Sequence, residues 1–323
     1  MPLWDNTRMK KSGPGKAYRR GLSLAQLFDL FPDEESARIW FEKQLWPHGP
    51  TCPLCGAQDR VKATVNQKPL PYWCGDCRRH FSVRMGTALE RSRVSLRKWA
   101  IAIYLDATSL KGVSSMKLHR DLGVTQKTAW FMLHRIREAW SHEMRVQFTG
   151  PAEADETYFG GRKKNKPLSQ REVWGRGLAG KTPVAGILDR RTKRVVAKVL
   201  PDNRHPTIKG FVRANLKEGA TLYTDEGTGY RDLWDFDHEA VKHSILEYVR
   251  GPVHTNSIES FWSMLKRAHM GTFHKLSVKH LQRYVNEFAG RYNMRELDTH
   301  QQMRVVAYGL AGRRLTYDDL TAD

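Results

Sequence analysis

The stretch AEADETYF, residues 152–159, decides the fold prediction for the C-terminal half of this chain. From about Pro151 the sequence has the residue pattern of β-strands, and we predict a strand over Ala152–Phe159. Asp155 lies in the middle of this strand between Glu153 and Glu156, where a carboxylate is costly unless it is paired or binds a metal ion. We therefore expect Asp155 to have a functional role.

The elements that follow predict a mixed α+β domain over residues 149–298. In chain order they are strands Pro183–Leu188 and Arg194–Leu200, helix Thr207–Leu216, strands Thr221–Thr224 and His238–His243, and helices Ser257–Ala268 and Val278–Asn293. This order is that of a ribonuclease H-like fold, with a mixed five-stranded sheet and flanking helices. We expect the remaining residues, 299–323, to form a C-terminal tail whose last twenty residues fray.

Two more acidic residues are placed to join Asp155. Asp225 ends the fourth strand, and Glu259 lies in the first turn of the helix that follows the fifth. If strands one and four are parallel neighbours, Asp155 and Asp225 lie side by side. Three carboxylates can hold two Mg²⁺ ions about 4 Å apart for displacement at phosphorus. We therefore expect a catalytic site for two Mg²⁺ ions, which Mn²⁺ could replace.

The helix that carries Glu259 supports this site but also allows a simpler interpretation. Lys266 follows Glu259 by seven residues on the same border of the apolar stripe, where it could hold a DNA phosphate. Asn256, one turn earlier, is a secondary candidate for the site. Glu259 could instead be a helix-start residue paired with Asn256, and Asp225 could cap a turn before Gly227. Spacing alone leaves these alternatives open.

A basic insertion separates the first two strands of this domain. Residues 160–181 contain five Gly and seven Lys or Arg against a single acid. Because such a segment cannot bury itself, we predict a mobile loop that orders on DNA, with Lys163 and Lys164 at phosphates.

The four cysteines lie together in a predicted zinc ribbon over residues 51–90. They form two C-x2-C pairs separated by 18 residues: Cys52 with Cys55, and Cys74 with Cys77. This spacing is typical of a tetrahedral zinc site rather than of a disulfide framework. Four protein ligands leave no open position, so we expect one structural zinc ion. The alternative is two C-x2-C pairs that occur by chance, with or without redox activity.

Helices are predicted on both sides of the ribbon. Residues 1–50 form an N-terminal helical segment with two short helices. Within residues 91–148, a helix begins at Ser95 and is followed by two helices joined by a Gly-Val turn, the second capped by Thr125. A helix-turn-helix presents the start of its second helix to the DNA major groove, whereas an ordinary αα-hairpin would only pack a core. The expected DNA-contacting residues are Gln126, Lys127, Thr128 and Arg135.

The composition favours a nucleic-acid partner. The chain has 54 Lys and Arg against 34 Asp and Glu, a net charge of +20, and a pI near 9.9. Such a charge on a foldable chain indicates a polyanion partner. No apolar run approaches the roughly 20 residues that span a bilayer, and the first residues lack the apolar core of a secretory signal. We expect a cytoplasmic, nucleoid-associated protein of a prokaryotic cell, with no membrane contact.

Several motifs between about Leu22 and Glu296 carry a family resemblance. They are Trp46-Pro47 before the first cysteine pair, CRRHFSV at 77–83, LGVTQKTAW at 122–130, DETYFGG at 155–161, TDE at 224–226, HTNSIESFW at 254–262, Lys266, and RYN at 291–293. Together they are highly specific. The chain resembles the zinc-ribbon insertion-sequence DDE transposases of the ISXO-two-like group.

This resemblance implies that Asp155, Asp225 and Glu259 are the catalytic triad, with Lys266 beside them. It implies an enzyme that cuts double-stranded DNA at element ends and joins the 3′-hydroxyls to target DNA by two-metal phosphoryl transfer, as a homo-oligomer on DNA. Some relatives use Asn as the third ligand, and we prefer Glu259 over Asn256 because of its spacing to Lys266. The alternatives are an inactive DNA-binding regulator derived from a transposase and a hydrolytic host nuclease of the same fold.

Overall fold

The computed structural model describes residues 21–64, 69–140, 147–161, 180–225, 227–230, 232–241 and 249–322. The predicted α+β class is confirmed, because helices and two separate sheets occur along the chain. No helix within these ranges is both long enough and apolar enough to cross a membrane.

The N-terminal part combines helices with a small antiparallel sheet. Its elements are α1 (Leu24–Leu30), α2 (Glu34–Leu45), β1 (Val61–Ala63), β2 (Tyr72–Cys74), β3 (Arg79–Phe81), α3 (Leu96–Thr108), α4 (Ser115–Leu122) and α5 (Gln126–Ala139). Helix α3 begins after Ser95 and α5 after Thr125, as predicted, because each hydroxyl accepts a first-turn backbone N–H. Gly123, in the left-handed region at φ 58°, ends α4 and turns the chain into α5.

The C-terminal part contains the larger sheet and its helices. Its elements are β4 (Ala152–Phe159), β5 (Thr182–Asp189), β6 (Arg194–Val199), α6 (His205–Asn215), β7 (Thr221–Asp225), β8 (Asp237–Val241), α7 (Asn256–Ala268), α8 (Val278–Asn293), α9 (Thr299–Gly309) and α10 (Tyr317–Thr321). A 3-10 turn at Thr228–Tyr230 follows β7, and a π-helical turn at His269–Phe273 follows α7.

The five strands form a mixed sheet in the order β6-β5-β4-β7-β8. Strands β4, β5 and β6 are antiparallel neighbours, whereas β7 runs parallel to both β4 and β8. Successive residues of β5 enter opposite cores: Ile187 packs on the side of α6, and Leu188 packs on the side of α7 and α8. The sheet is therefore covered by helices on both faces.

Helix α8 also closes the edge of the sheet at β6. The Asn293 side chain accepts from the Val195 N–H (2.7 Å) and donates to the Val195 carbonyl (3.0 Å). Earlier along the same helix, Gln282 accepts from the Val199 N–H (2.7 Å) and donates to the Ala197 carbonyl. Amide side chains thus bind the backbone groups that an edge strand would otherwise leave unpaired.

The expected C-terminal tail is instead part of the N-terminal core. Helix α9 buries Met303, Val306, Ala307 and Leu310 against α2, α3 and α5. The Ala88 N–H donates to the Leu310 carbonyl at 2.9 Å. Leu315 and Leu320 are also buried. The spacing of these apolar residues in α9 is that of a helix face, which the expectation of a fraying tail overlooked.

A buried ionic cluster joins the helical part to the sheet domain. Glu287 of α8 is fully buried and accepts from Arg137 of α5 (2.6 Å) and from Arg291 of α8 (2.8 Å). Arg291 also donates to Asp106 of α3 at 2.7 Å. Because these charges are removed from water, each requires its partners. The cluster therefore fixes α3, α5 and α8 to one another.

Candidate active site and metal centre

Asp155 and Asp225 lie on adjacent parallel strands in matching positions. The register pairs Glu153 of β4 with Tyr223 of β7, and both aspartates lie two residues further along their strands. Side chains two residues apart share a face of a sheet. The predicted juxtaposition of Asp155 and Asp225 therefore agrees with the strand order and direction.

The electrostatics indicate that Asp155, Asp225 and Glu259 lie near one another. Burial, together with the charges of Asp225, Glu156 and Glu259, raises the pKa of Asp155 to about 7. Burial also raises the pKa of Glu156 to about 7, against the lowering effect of the Tyr230 hydroxyl. Carboxylates that repel one another in this way form the donor set that hard divalent cations such as Mg²⁺ prefer.

Glu259 reaches this space from the first turn of α7. Its backbone N–H donates to the Thr255 carbonyl at 3.0 Å, and its carboxylate accepts from the Thr255 hydroxyl at 2.7 Å. Thr255 is buried, whereas Glu259 and Asn256 are exposed. The partner of the Glu259 carboxylate is thus Thr255 rather than Asn256, the partner considered from the sequence.

The two-residue spacing on β4 also places Glu153 beside α7, which the sequence analysis missed. The buried Glu153 carboxylate accepts from the backbone N–H groups of Ser257 (2.8 Å) and Ile258 (3.0 Å). It also accepts from Arg190 Nε at 2.7 Å. Thr255, the N-cap residue, makes no side-chain capping bond of its own. Glu153 therefore takes the place of the capping side chain of α7.

The last predicted residue of this site lies at its margin. Lys266 is exposed on α7, about 10 Å along the helix axis from Glu259 at 1.5 Å per residue. The ligand atoms of Asp155, Asp225 and Glu259 do not all lie within 4.8 Å of one another. Two ions about 4 Å apart accommodate carboxylates spread more widely than a single ion does.

The four cysteines form one compact metal centre. Cys52 Sγ lies 3.6 Å from Cys77 Sγ, and Cys55 Sγ lies 3.5 Å from Cys74 Sγ. Tetrahedral zinc–sulfur bonds of about 2.3 Å place sulfur atoms about 3.8 Å apart. Backbone N–H groups of Cys77 and Asp76 lower the pKa of Cys74 to about 7. The four thiolates could therefore bind one zinc ion, as the spacing predicted.

The start of α5 borders a basic groove of about 1010 Å³. Residues that line it include Arg91, Arg93, Lys98, Lys127 and Tyr317. The Lys127 ammonium lies 4.1 Å from the centre of the Tyr317 ring. Gln126 is exposed and donates to Ser115 at 2.8 Å, and the Thr128 hydroxyl lies 2.8 Å from that of Thr125.

Arg135 lines the same groove but is largely buried. It is 7% exposed, donates to the Leu315 carbonyl at 3.2 Å and stacks on Phe131 at 4.2 Å. Its guanidinium is therefore held against the C-terminal segment, and its expected contact with DNA stays a prediction. Lys163 and Lys164, like most of the predicted basic loop, lie outside the described residues.

Comparison with known proteins identifies the family. Residues 147–293 match the family described as an ISXO2-like transposase domain. An uncharacterized protein in the transposable element ISH50 of Halobacterium salinarum is 31% identical over 252 residues, which cover 73% of this chain and 83% of that protein. The chain belongs to the ISXO2-like transposase family. The region of this transposase that matches the family begins just before β4 and ends with α8. It therefore spans the large sheet and every residue of the acidic cluster.

Proposed function

We propose that this transposase-family protein is a DDE enzyme that cuts DNA at the ends of an insertion sequence and joins the ends to target DNA. The observation that supports the proposal is that Asp155 and Asp225 lie at matching positions of two adjacent parallel strands, while Glu259 lies in the first turn of α7. The strand order is that of ribonuclease H-like domains, which supports the same assignment.

The acidic cluster fits a pair of divalent ions. Asp155, Asp225 and Glu259 would hold Mg²⁺ or Mn²⁺, which would activate the attacking oxygen and stabilise the leaving one. At neutral pH, Asp155 is near its pKa. An incoming cation would therefore replace a proton as the partner of this carboxylate.

Basic residues around the helical part would bind the DNA. Lys127 and Gln126 are exposed at the start of α5, and the groove beside them carries Arg91, Arg93 and Lys98. Phosphate contacts of this kind position a protein on DNA, and base contacts select the sequence. We assign the phosphate contacts to the groove and the base contacts to the first turn of α5. The zinc-bound ribbon would stabilise the adjoining part of the fold.

The experiment that tests the proposal is a joining assay with DNA that carries the element ends. In the presence of Mn²⁺ or Mg²⁺, the protein should yield both cleaved ends and joined products. A nuclease would give cleavage without joined products, and an inactive regulator would give neither.

Two substitutions identify the third carboxylate. Glu259→Gln keeps the size of the side chain but removes a negative charge, so cleavage and joining should both fall by orders of magnitude while DNA binding persists. Asn256→Ala, on the same helical turn, should leave joining within a few-fold of the unchanged protein. Full joining activity in Glu259→Gln would contradict the assignment of Glu259.

A further inference from the structure

We propose that Glu153 and Arg190 form a positioning pair that sets the distance between the three catalytic carboxylates. This inference rests on the proposed function. Neither residue belongs to the triad, and neither is proposed to touch the metal ions or the DNA. Their contacts instead reach each of the three backbone segments that carry the triad.

Glu153 connects the first and third acidic residues. It lies two residues before Asp155 on β4, and its carboxylate binds the N–H groups of Ser257 and Ile258, immediately before Glu259. A carboxylate at a helix N-terminus is favoured by the partial positive charge of the free N–H groups. The position of α7 against β4 is therefore set by a buried charge rather than by apolar packing alone.

Arg190 holds the segment that leads into α7. Its Nη2 atom donates to the His254 carbonyl at 2.7 Å and lies 2.9 Å from His254 Nδ1. Its Nη1 atom donates to the Pro252 carbonyl. A guanidinium can make these bonds together with the one to Glu153 because its donors point in fixed, divergent directions.

Arg190 also contacts the strand of the second acidic residue. Its guanidinium lies 4.3 Å from the centre of the Tyr223 ring, and Tyr223 precedes Asp225 by two residues on β7. The Arg190 backbone N–H donates to the Pro151 carbonyl immediately before β4. Through its bond to Glu153, the Arg190 side chain also joins β4 to β7 and to the approach to α7.

This arrangement differs from an ion pair that only stabilises the fold. The Glu153 carboxylate is 0% exposed and the Arg190 side chain 16% exposed, so both remain in place only as a bonded pair. All of their partners lie within two residues of a catalytic carboxylate or in the segment that leads to one. Loss of a residue that orients metal ligands from outside typically costs about 10- to 100-fold in metal affinity or activity.

The test is Glu153→Gln in the zinc-loaded full chain. Glutamine keeps the shape, but its amide NH₂ group would oppose either Arg190 or the helix N–H groups. We expect Mn²⁺ affinity, measured by calorimetry with Asp155→Asn as the baseline, to fall about 10- to 100-fold. The kcat of joining should fall in parallel, and KM for DNA should stay within about twofold.

The matched control is Glu138→Gln. Glu138 accepts from Arg283 Nε at 2.7 Å, the same type of contact, but this pair joins α5 to α8 without contacting the acidic cluster. This variant should bind Mn²⁺ and join DNA as the unchanged protein does. A loss of the same size in Glu138→Gln would overturn the inference, because removing any part-buried ion pair would then have the same effect.

A second variant keeps the inference testable if Glu153→Gln does not fold. Arg190→Lys keeps a positive charge beside Glu153, but one ammonium cannot reach the Pro252 and His254 carbonyls as well. We expect the same loss of Mn²⁺ affinity and kcat. If the folded variants only melt earlier and keep Mn²⁺ affinity and kcat within threefold, the pair is merely structural and the inference is wrong.

These outcomes remain distinct from a failure of the proposed function. If the unchanged protein neither binds Mn²⁺ through Asp155 nor joins DNA, the proposed function itself is refuted, and this inference with it. If the unchanged protein does both and the variants match it, only the role of Glu153 and Arg190 is refuted.

Discussion

Adding one methyl group at Gly186 should push α7, the helix that carries Glu259, away from the sheet. Gly186 pairs with Asp155 in the β4–β5 register, and α7 crosses directly above it. A Cβ atom at this position would lie 2.7 Å from Trp262 Cζ2 and 3.0 Å from Ile258 Cδ1. Carbon atoms in contact are normally about 3.5 to 4.0 Å apart. Gly186→Ala therefore requires α7 to move away by about 1 Å.

The expected consequences follow from that displacement. Overpacking of this kind costs about 1–3 kcal/mol of unfolding free energy. A misplacement of about 1 Å can reduce catalysis about 100-fold, and Ile258 immediately precedes Glu259. We expect Gly186→Ala to unfold at lower urea concentration, to bind end DNA normally and to join DNA about 100-fold more slowly.

The matched control is Gly210→Ala in α6. A Cβ atom there meets no atom within 4 Å. Alanine in a helix interior is favoured over glycine by up to about 1 kcal/mol, so this variant should be equally or more stable and fully active. Joining by Gly186→Ala within threefold of the unchanged protein would refute the argument that α7 is positioned by this contact.

A compensating change separates displacement from simple destabilisation. Trp262→Leu removes the ring atoms that the added methyl group would meet, and the indole N–H makes no hydrogen bond with the described residues. Combined with Gly186→Ala, it should restore joining more than it restores stability.

Three further predictions concern the metal centre, the DNA contacts and the buried histidine. Cys74→Ser should abolish the retention of about one zinc per chain by elemental analysis and unfold the ribbon, since structural zinc and folding are coupled; retained zinc would contradict the site. Lys127→Ala should weaken binding to element ends more than to unrelated DNA, and unchanged end affinity in a titration would show that α5 is not the reader. His134 is buried, neither of its ring nitrogens has a hydrogen-bond partner among the described residues, and burial lowers its pKa to about 2. Below about pH 6.5 this histidine binds a proton in the unfolded chain but not in the native state. The free energy of unfolding should therefore fall by about 2 kcal/mol between pH 7 and pH 5. His134→Phe should remove that loss in urea titrations at the two pH values.

The residues that the sequence predicted well have local or strictly periodic signals. Strand Ala152–Phe159 and helix Val278–Asn293 occur at the predicted bounds. The cysteine spacing alone predicted that the four thiols lie together, and they do. The placement of Asp155 and Asp225 on adjacent parallel strands followed from one assumption about strand order.

The missed features depend on partners far apart in the chain. Glu153 binds N–H groups about a hundred residues away, and no local pattern shows which acid in a strand will cap a distant helix. A signal did exist, since Glu153 and Asp155 are two residues apart and therefore share a face. The burial of Arg135 depends on Leu315, 180 residues later. It could not be predicted while the C-terminal residues were expected to fray.

The amide side chains on α8 have a consequence for how copies of this protein can assemble. Asn293 and Gln282 occupy the outward backbone groups of β6, so the helix acts as a substitute for a sixth strand. A strand from another copy could pair at this edge only after α8 had moved, and α8 is fixed by its buried charges. If copies of this chain associate, they would therefore do so without extending the sheet across its β6 edge.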